Sequence, residues 1–191
     1  MNGILHTPSS IAPDLENYCG WFDGYLAGLP DKDVRLLQTA LKLAEQHYPA
    51  EAKTDSGEPL LSNLMGAAQM VNDMDLLPDA VAATLLAAIS GYCPDWQQVV
   101  TEQCNATICE LVKGVDEVQK LTHFARVDSL ATSEERAQQA ETMRKMLLAM
   151  VTDIRVVLIK LAMRTRTMQF LSNIPDSPEK RAVAKETLDI F

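Results

Sequence analysis

The chain contains 191 residues, of which 47% are hydrophobic and 23% are charged, a composition typical of one globular domain with a substantial core. Its formal charge of −9 at pH 7 argues against non-specific binding to nucleic acid or to an acidic membrane surface, since both would repel it. No apolar run reaches the roughly 18–20 residues that span a bilayer, and the N-terminus lacks a secretory signal pattern. These features predict a cytoplasmic protein.

The sequence favours helices over strands, because aromatic residues make up only 5% of it while Ala, Leu and Met recur throughout. In chain order, apolar periodicity and proline positions predict helices over 14–26, 31–47, 63–73, 79–92, 96–104 and 106–119. The turn formers of residues 53–59 predict a loop. Residues 79–92 are nearly all small and apolar, so this helix should be buried on all sides as the central helix.

The last third of the chain has a different charge balance. A polar loop is predicted near 126–133, followed by a long helical region that Ser133 would cap and that a break near Asp153 would interrupt. A turn at Pro175 and Pro178 precedes a final amphipathic helix. Residues 141–191 hold nine Lys or Arg against six Asp or Glu, a balance of +3, which leaves −12 on residues 1–140. This basic third could face phosphates or an acidic neighbour, or form a solvated helix surface.

The four cysteines are Cys19, Cys93, Cys104 and Cys109. They show no Cys-x-x-Cys spacing and are too few for a disulfide framework, so we expect them to be reduced and mostly buried. A zinc site built from Cys104, Cys109 and a distant histidine is an alternative that this spacing does not favour.

The segment from Arg144 to Met168, RKMLLAMVTDIRVVLIKLAMRTRTM, resembles the signature region of the RelA/SpoT family, the stringent-response enzymes that make and degrade (p)ppGpp. The SGEP loop at residues 56–59, and the Leu85-Leu86 stretch leading to Cys93-Pro94, match other motifs of that family's N-terminal HD-type hydrolase domain. The terminal KETLDIF resembles the linker helix that continues into the synthetase domain. The resemblance covers about residues 35–191 and implies a compact, all-α, multi-helix bundle of the HD type.

The resemblance divides the chain into an N-terminal helical extension over 1–30, an HD-type domain over 31–178, and the start of a linker helix over 179–191. This linker would lead to a synthetase domain that is absent from the chain. By the same resemblance the parent protein is expected to be a GTP pyrophosphokinase, which transfers pyrophosphate from ATP to GTP in that synthetase domain.

Hydrolase members of the family hold a metal ion with a His after the GEP loop, a His-Asp pair on the central helix and an Asp before an Arg-x-His-Asn motif. Here these positions read Asn63, Ala87, Ala88 and Met163. Alanine supplies no donor atom for Mn²⁺ or a similar ion. A Glu-Asp pair suited to activating water is replaced by Gly91 and Tyr92.

Other functional positions of the family have changed as well. The basic residues expected before SGEP are Thr54 and Asp55, and the His and Asn that follow Arg164-Thr165 are Arg166 and Thr167. The resemblance therefore implies a pseudo-hydrolase, as in the synthesis-only RelA branch, with no catalytic residue, metal or cofactor. Substitute ligands would have to come from His6, His47 or His123, none of which falls in the predicted central helix or the signature segment.

Three functional hypotheses follow. The first is a regulatory domain that contacts the synthetase domain of the same polypeptide. Candidate contacts for that domain or for phosphates are Arg144, Lys145, Arg155, Lys160, Arg164 and Arg166, although helix dipoles and surface pairing explain such residues equally well. The second is a metal-free sensor of a guanine nucleotide or another small molecule, and the third is hydrolysis through substitute residues. Alanines packed against other side chains would eliminate the second and third hypotheses, whereas alanines lining an open cavity would not.

Overall fold

The structure is a computed structural model that describes residues 12–125, Lys145, residues 153–176, Lys180, Arg181 and Val183. In this part of the chain there are seven α-helices and no β-strand, apart from an isolated bridge between Lys53 and Pro59. The helices are α1 (Ala12–Leu26), α2 (Asp31–His47), α3 (Leu60–Asp73), α4 (Pro78–Leu85), α5 (Trp96–Gln103), α6 (Ala106–Ala125) and α7 (Ile154–Ser172). The predicted all-α fold is confirmed.

Prolines and one aspartate define several helix starts. Pro30 and Pro59 directly precede α2 and α3, and Pro78 is the first residue of α4, where a missing N–H costs no intrahelical hydrogen bond. Asp153 has an extended backbone and caps α7, since its Oδ1 accepts a hydrogen bond from the Arg155 N–H at 2.9 Å. A helix thus begins directly after Asp153, where the sequence predicts a break, while residues 146–152 lie outside the described part of the chain.

The core lies around α3 and α4. Helix α3 packs against α1, α4 and α7, while α4 also packs against α2 and α6. Every side chain from Ala80 to Leu85 is buried, and the alanines among them allow the neighbouring helices to approach closely. The predicted central position of this segment is confirmed. None of the helices in the described residues is long and apolar enough to cross a membrane.

The predicted continuous helix over 79–92 is wrong in its second half. Helix α4 ends at Leu85, a turn follows, and Ile89–Gly91 forms one turn of 3₁₀ helix. The backbone here tightens to three-residue hydrogen bonds, such as that from the Ala87 N–H to the Thr84 carbonyl at 3.2 Å. The Tyr48 hydroxyl donates to the Leu85 carbonyl at 3.0 Å, which satisfies an acceptor at the helix end. Ala87 and Ala88 consequently follow the central helix instead of lying on it.

The other helix limits agree with the sequence to within a few residues. Helix α3 begins at Leu60, three residues before its predicted start, and α6 continues to Ala125, past the predicted end at residue 119. The predicted loop near 126–133 and the Ser133 cap lie outside the described residues. So does most of the helical region predicted to follow that cap.

Gly114 is a point of close contact between α6 and α7. A Cβ atom at Gly114 would lie 2.7 Å from Cγ2 of Val156, whose branched side chain has little rotamer freedom. We expect Gly114→Ala to lower the free energy of unfolding by up to about 2 kcal/mol, because overpacking costs about 1–3 kcal/mol and the helix-propensity gain of about 1 kcal/mol offsets only part of that cost. Urea unfolding followed by circular dichroism would measure this change.

The matched control is Gly24→Ala in α1, where an added Cβ has nothing within 4 Å. This substitution should leave stability unchanged or raise it slightly. Equal effects of the two substitutions would contradict the close packing of α6 on α7.

Candidate functional site

A cleft of about 870 Å³ opens where residues 53–56, the turn after α4, α6 and α7 meet. Its lining comprises Lys53, Thr54, Asp55, Ser56, Leu60, Asn63, Ala87, Ala88, Ser90, Gly91, Tyr92, Asp116, Gln119, Lys120, Lys160, Met163, Arg164, Thr167 and Val183. The lining includes every position that the resemblance assigned to metal binding or water activation, namely Asn63, Ala87, Ala88, Gly91, Tyr92 and Met163. Segments far apart in the sequence thus converge on one site.

The side chains at the four metal positions do not fit a metal ion. Ala87 and Ala88 offer methyl groups, and Met163 offers a thioether, a poor ligand for Mn²⁺. The Asn63 amide nitrogen donates to Oε2 of Glu58 at 2.7 Å, so this side chain offers at most one neutral amide oxygen as a ligand. Among the described residues, no group of three or more His, Cys, Asp or Glu side chains is placed to hold a metal ion.

The two alanines border open space. Ala87 is only 2% exposed, so neighbouring atoms cover almost all of it, whereas Ala88 is half-buried. Both residues line the cleft that the described residues form. This is the arrangement that leaves room for a bound molecule, so the alanines do not eliminate the sensor hypothesis.

A buried polar network adjoins the cleft. The Glu58 carboxylate is 1% exposed, and its Oε1 accepts a hydrogen bond from Nε of Arg166 at 2.7 Å. Its Oε2 accepts from Asn63, whose amide also lies 3.4 Å from Oγ1 of Thr167. Because both carboxylate oxygens are bonded and one partner is a cation, the buried charge is compensated.

The basic residues proposed as phosphate or interdomain contacts have separate locations. Arg166 is only 8% exposed and binds Glu58, so it does not lie at the surface. Arg155 binds its neighbour Asp153, with Nη2 and Oδ2 2.6 Å apart, and these hydrogen bonds hold the pKa of Asp153 below its usual value. Lys145 is exposed and Arg144 lies outside the described residues. Lys160 and Arg164 line the cleft.

Several cleft residues were missed by the sequence analysis. Asp116 and Lys120 lie one turn apart on α6 and form an ion pair of 2.6 Å, and the Ser90 hydroxyl donates to the same carboxylate at 2.7 Å. The spacing of Asp116 and Lys120 predicts an ion pair on one face of a helix, but it does not predict that this face lines the cleft. Among the described residues that line the cleft, Lys53, Lys120, Lys160 and Arg164 are cationic, against the carboxylates of Asp55 and Asp116. The cleft is therefore basic within an acidic chain.

The cysteines and histidines supply no second site in the described residues. All four cysteines are free, and burial raises the pKa of the Cys104 thiol to about 11, which disfavours the thiolate that zinc requires. Cys109 donates to the Gln97 carbonyl at 3.6 Å. His47 lies on α2 and does not line the cleft. His6 lies outside the described residues, and the His123 side chain is not described.

Residues 40–191 match the HD domain family, and the chain belongs to that family. The resemblance to the RelA/SpoT family is also confirmed, because the chain is 33% identical over 164 residues to the bifunctional (p)ppGpp synthase/hydrolase SpoT of Escherichia coli strain K12. This match covers 85% of the chain and 22% of the relative.

Other relatives carry different names. The chain is 32% identical over 162 residues to a GTP pyrophosphokinase of Myxococcus xanthus. This match covers 85% of the chain and 20% of the relative. It is 30% identical over 189 residues to the putative chloroplastic GTP diphosphokinase RSH1 of Arabidopsis thaliana. This match covers 96% of the chain and 21% of the relative. The chain thus spans about a fifth of the length of these curated relatives.

Proposed function

We propose that this chain is an HD domain that does not hydrolyse (p)ppGpp, and that it regulates the synthetase domain of a GTP pyrophosphokinase within the same polypeptide. The observation that carries the proposal is the lining of the cleft, in which Ala87, Ala88 and Met163 stand at positions where hydrolysis requires metal ligands. The names of the relatives include both hydrolases and pyrophosphokinases, so the side chains at the site are the better guide.

The loss of ligands is too large to be compensated. If a four-ligand metal site contributes about 10–16 kcal/mol of binding free energy, each ligand contributes roughly 2.5–4 kcal/mol. The donors at Ala87, Ala88 and Met163 are absent, which removes most of that affinity. The Asn63 side chain offers at most one neutral amide oxygen, because its nitrogen donates to Glu58. Gly91 and Tyr92 offer no carboxylate to activate water in the absence of the metal.

The regulatory part of the proposal rests on how the cleft meets the predicted linker. Nη2 of Arg164, a cleft residue on α7, donates to the Val183 carbonyl at 2.8 Å. Val183 is 8% exposed and itself lines the cleft. Nζ of Lys180 donates to the Ile174 carbonyl at 2.9 Å, which adds a second bond between this segment and the residues that follow α7. A change in the cleft can thereby reach the segment that would lead to a synthetase domain.

A metal-free ligand sensor is the second candidate function. A cleft of about 870 Å³ falls within the size range of small-molecule sites, roughly 300–1,000 Å³. Its basic lining favours a ligand that carries phosphate groups. Both functions could operate together, since a nucleotide held beside Arg164 would act on the bond to Val183.

Thermal unfolding of the purified chain tests the absence of metal binding. We expect millimolar Mn²⁺ to leave the melting temperature unchanged, because a site at 100 times its Kd would add about 2.7 kcal/mol, equivalent to about 5–11 °C for a chain of this size. An HD domain that keeps His and Asp at the metal positions is the positive control. An upward shift of several degrees in this chain would contradict the proposal.

The same experiment separates the two candidate functions. Guanosine 3',5'-bis(diphosphate) added with a chelator should raise the melting temperature only if the cleft binds nucleotide without metal. Such a shift would favour the sensor function, and no shift would leave the regulatory function as proposed.

A further inference from the structure

The ion pair between Arg166 and Glu58 is the most enclosed one in the described part of the chain. The two side chains are 10% and 1% exposed, whereas the pairs Lys120–Asp116 and Arg155–Asp153 each leave at least one side chain a quarter or more exposed. A buried pair is favourable only when further hydrogen bonds satisfy both partners. Glu58 meets that condition, because its second oxygen accepts from Asn63 at 2.7 Å.

The network connects three segments of the fold. Glu58 lies in the loop before α3, Asn63 lies in the first turn of α3, and Arg166 lies on α7. In a hydrolase of the family, a shared metal would connect the position of Asn63 on α3 to that of Met163 on α7. Here a guanidinium makes an equivalent connection, and it lies one helical turn from Met163.

The surroundings of Arg166 are shaped to hold a guanidinium. Its Cζ lies 5.2 Å from the ring centroid of Tyr18, a residue of α1, in cation–π geometry. A Cβ atom at Gly66 would lie 2.8 Å from Cδ of Arg166 and 2.9 Å from the Tyr18 hydroxyl oxygen. The glycine in α3 therefore leaves the space that the arginine and the tyrosine fill.

We infer that Arg166 is an internal cation that takes over the cross-linking contribution of a metal. It ties the loop before α3, and α3 itself, to α7, so the cleft keeps its form without a bound ion. Through Tyr18 it also joins this network to α1. The inference goes beyond the proposed function, since it holds whether or not the domain regulates a synthetase.

Comparing the stability of a single and a double variant of the intact chain tests this role. Arg166→Met should lower the melting temperature by about 6–20 °C, because it leaves the Glu58 carboxylate buried without its cation. Glu58→Gln combined with Arg166→Met removes both charges and should recover at least half of that loss. The matched control is Arg155→Met, which breaks a partly exposed pair on the same helix and should lower the melting temperature by less than about 4 °C.

Hydrogen exchange distinguishes the loss of this cross-link from a general loss of packing, because only the former accelerates exchange selectively in the loop before α3. The backbone N–H of Thr54 bonds to the Glu58 carbonyl at 2.9 Å, and that of Leu60 bonds to the Ala52 carbonyl at 2.8 Å. Under conditions where the fold remains intact, Arg166→Met should accelerate exchange of these two amides by about tenfold or more relative to amides within α2. Arg155→Met should leave them unchanged.

Two results would overturn the inference. One is a double variant that is no more stable than Arg166→Met, since the buried charge would then not be the cause of the loss. The other is equal effects of Arg166→Met and Arg155→Met on stability and on exchange of the loop amides. If Arg166→Met fails to fold, the double variant is still expected to fold, and its failure would also count against the cross-link.

Discussion

The purified chain should leave guanosine 3',5'-bis(diphosphate) intact in the presence of millimolar Mn²⁺. The acid–base pair that would stand at Gly91 and Tyr92 is worth about 10²–10⁴-fold in rate by itself, and the metal that would generate the attacking hydroxide is also without ligands. We therefore expect the rate of hydrolysis to be lower than that of an HD domain with a complete site by a factor of about 10⁴ or more. Release of pyrophosphate, measured by chromatography, checks this expectation.

Partial restoration of the site is a sharper form of the same test. Ala87→His with Ala88→Asp should not restore hydrolysis, because Met163 supplies no oxygen or nitrogen ligand and Asn63 supplies at most a neutral amide oxygen. In addition, Gly91 and Tyr92 provide no carboxylate to activate water. The two alanines also lie in the turn after α4, and not on the helix. His and Asp side chains introduced there are therefore not held by a helix in positions that coordinate a metal ion. Pyrophosphate release from the unmodified chain above a boiled control would refute the proposed loss of hydrolysis.

Removing the domain should change the activity of the protein that carries it. In the full-length polypeptide, deletion of residues 1–178 should change basal (p)ppGpp synthesis by about fivefold or more, since coupling between sites typically amounts to about 1–3 kcal/mol. The physical route is the bond from Arg164 to the Val183 carbonyl, which joins the cleft wall to the predicted linker. Initial rates of synthesis from ATP and GTP measure the effect.

Single substitutions identify the route. Arg164→Gln should reproduce part of the deletion effect, because it shortens the side chain that reaches the Val183 carbonyl. Arg155→Gln, on the same helix but bonded to Asp153, and Ala88→Ser, which preserves packing in the cleft, should leave synthesis unchanged. If the truncated synthetase is folded and matches the intact protein in rate, nucleotide affinity and response to activators, the domain has no regulatory function.

The sequence by itself determined most of the helical architecture of the described residues, the end of α4 being the exception. Pro78 begins α4 because proline fits the first turn of a helix, and Pro30 directly precedes α2. Asp153 precedes α7 because its carboxylate accepts a hydrogen bond from a backbone N–H of the first turn. The apolar run from Ala80 to Leu85 lies in the core because no face of that helix is hydrophilic. These effects operate within a few residues, so a local pattern contains the information that they require.

The resemblance predicted the six metal-binding and water-activating positions, and the structure brings all six together in the cleft. It did not predict Ser90, Asp116 or Lys120, which line the same cleft. What only the tertiary structure decided is the set of bonds between distant residues. Helix α4 ends at Leu85 in a bond to Tyr48, 37 residues earlier, and Arg166 is buried because Glu58 lies beside it, 108 residues away in the sequence. A buried arginine and a surface arginine have the same local pattern, since the free energy of burying the charge depends on the partner that the fold supplies.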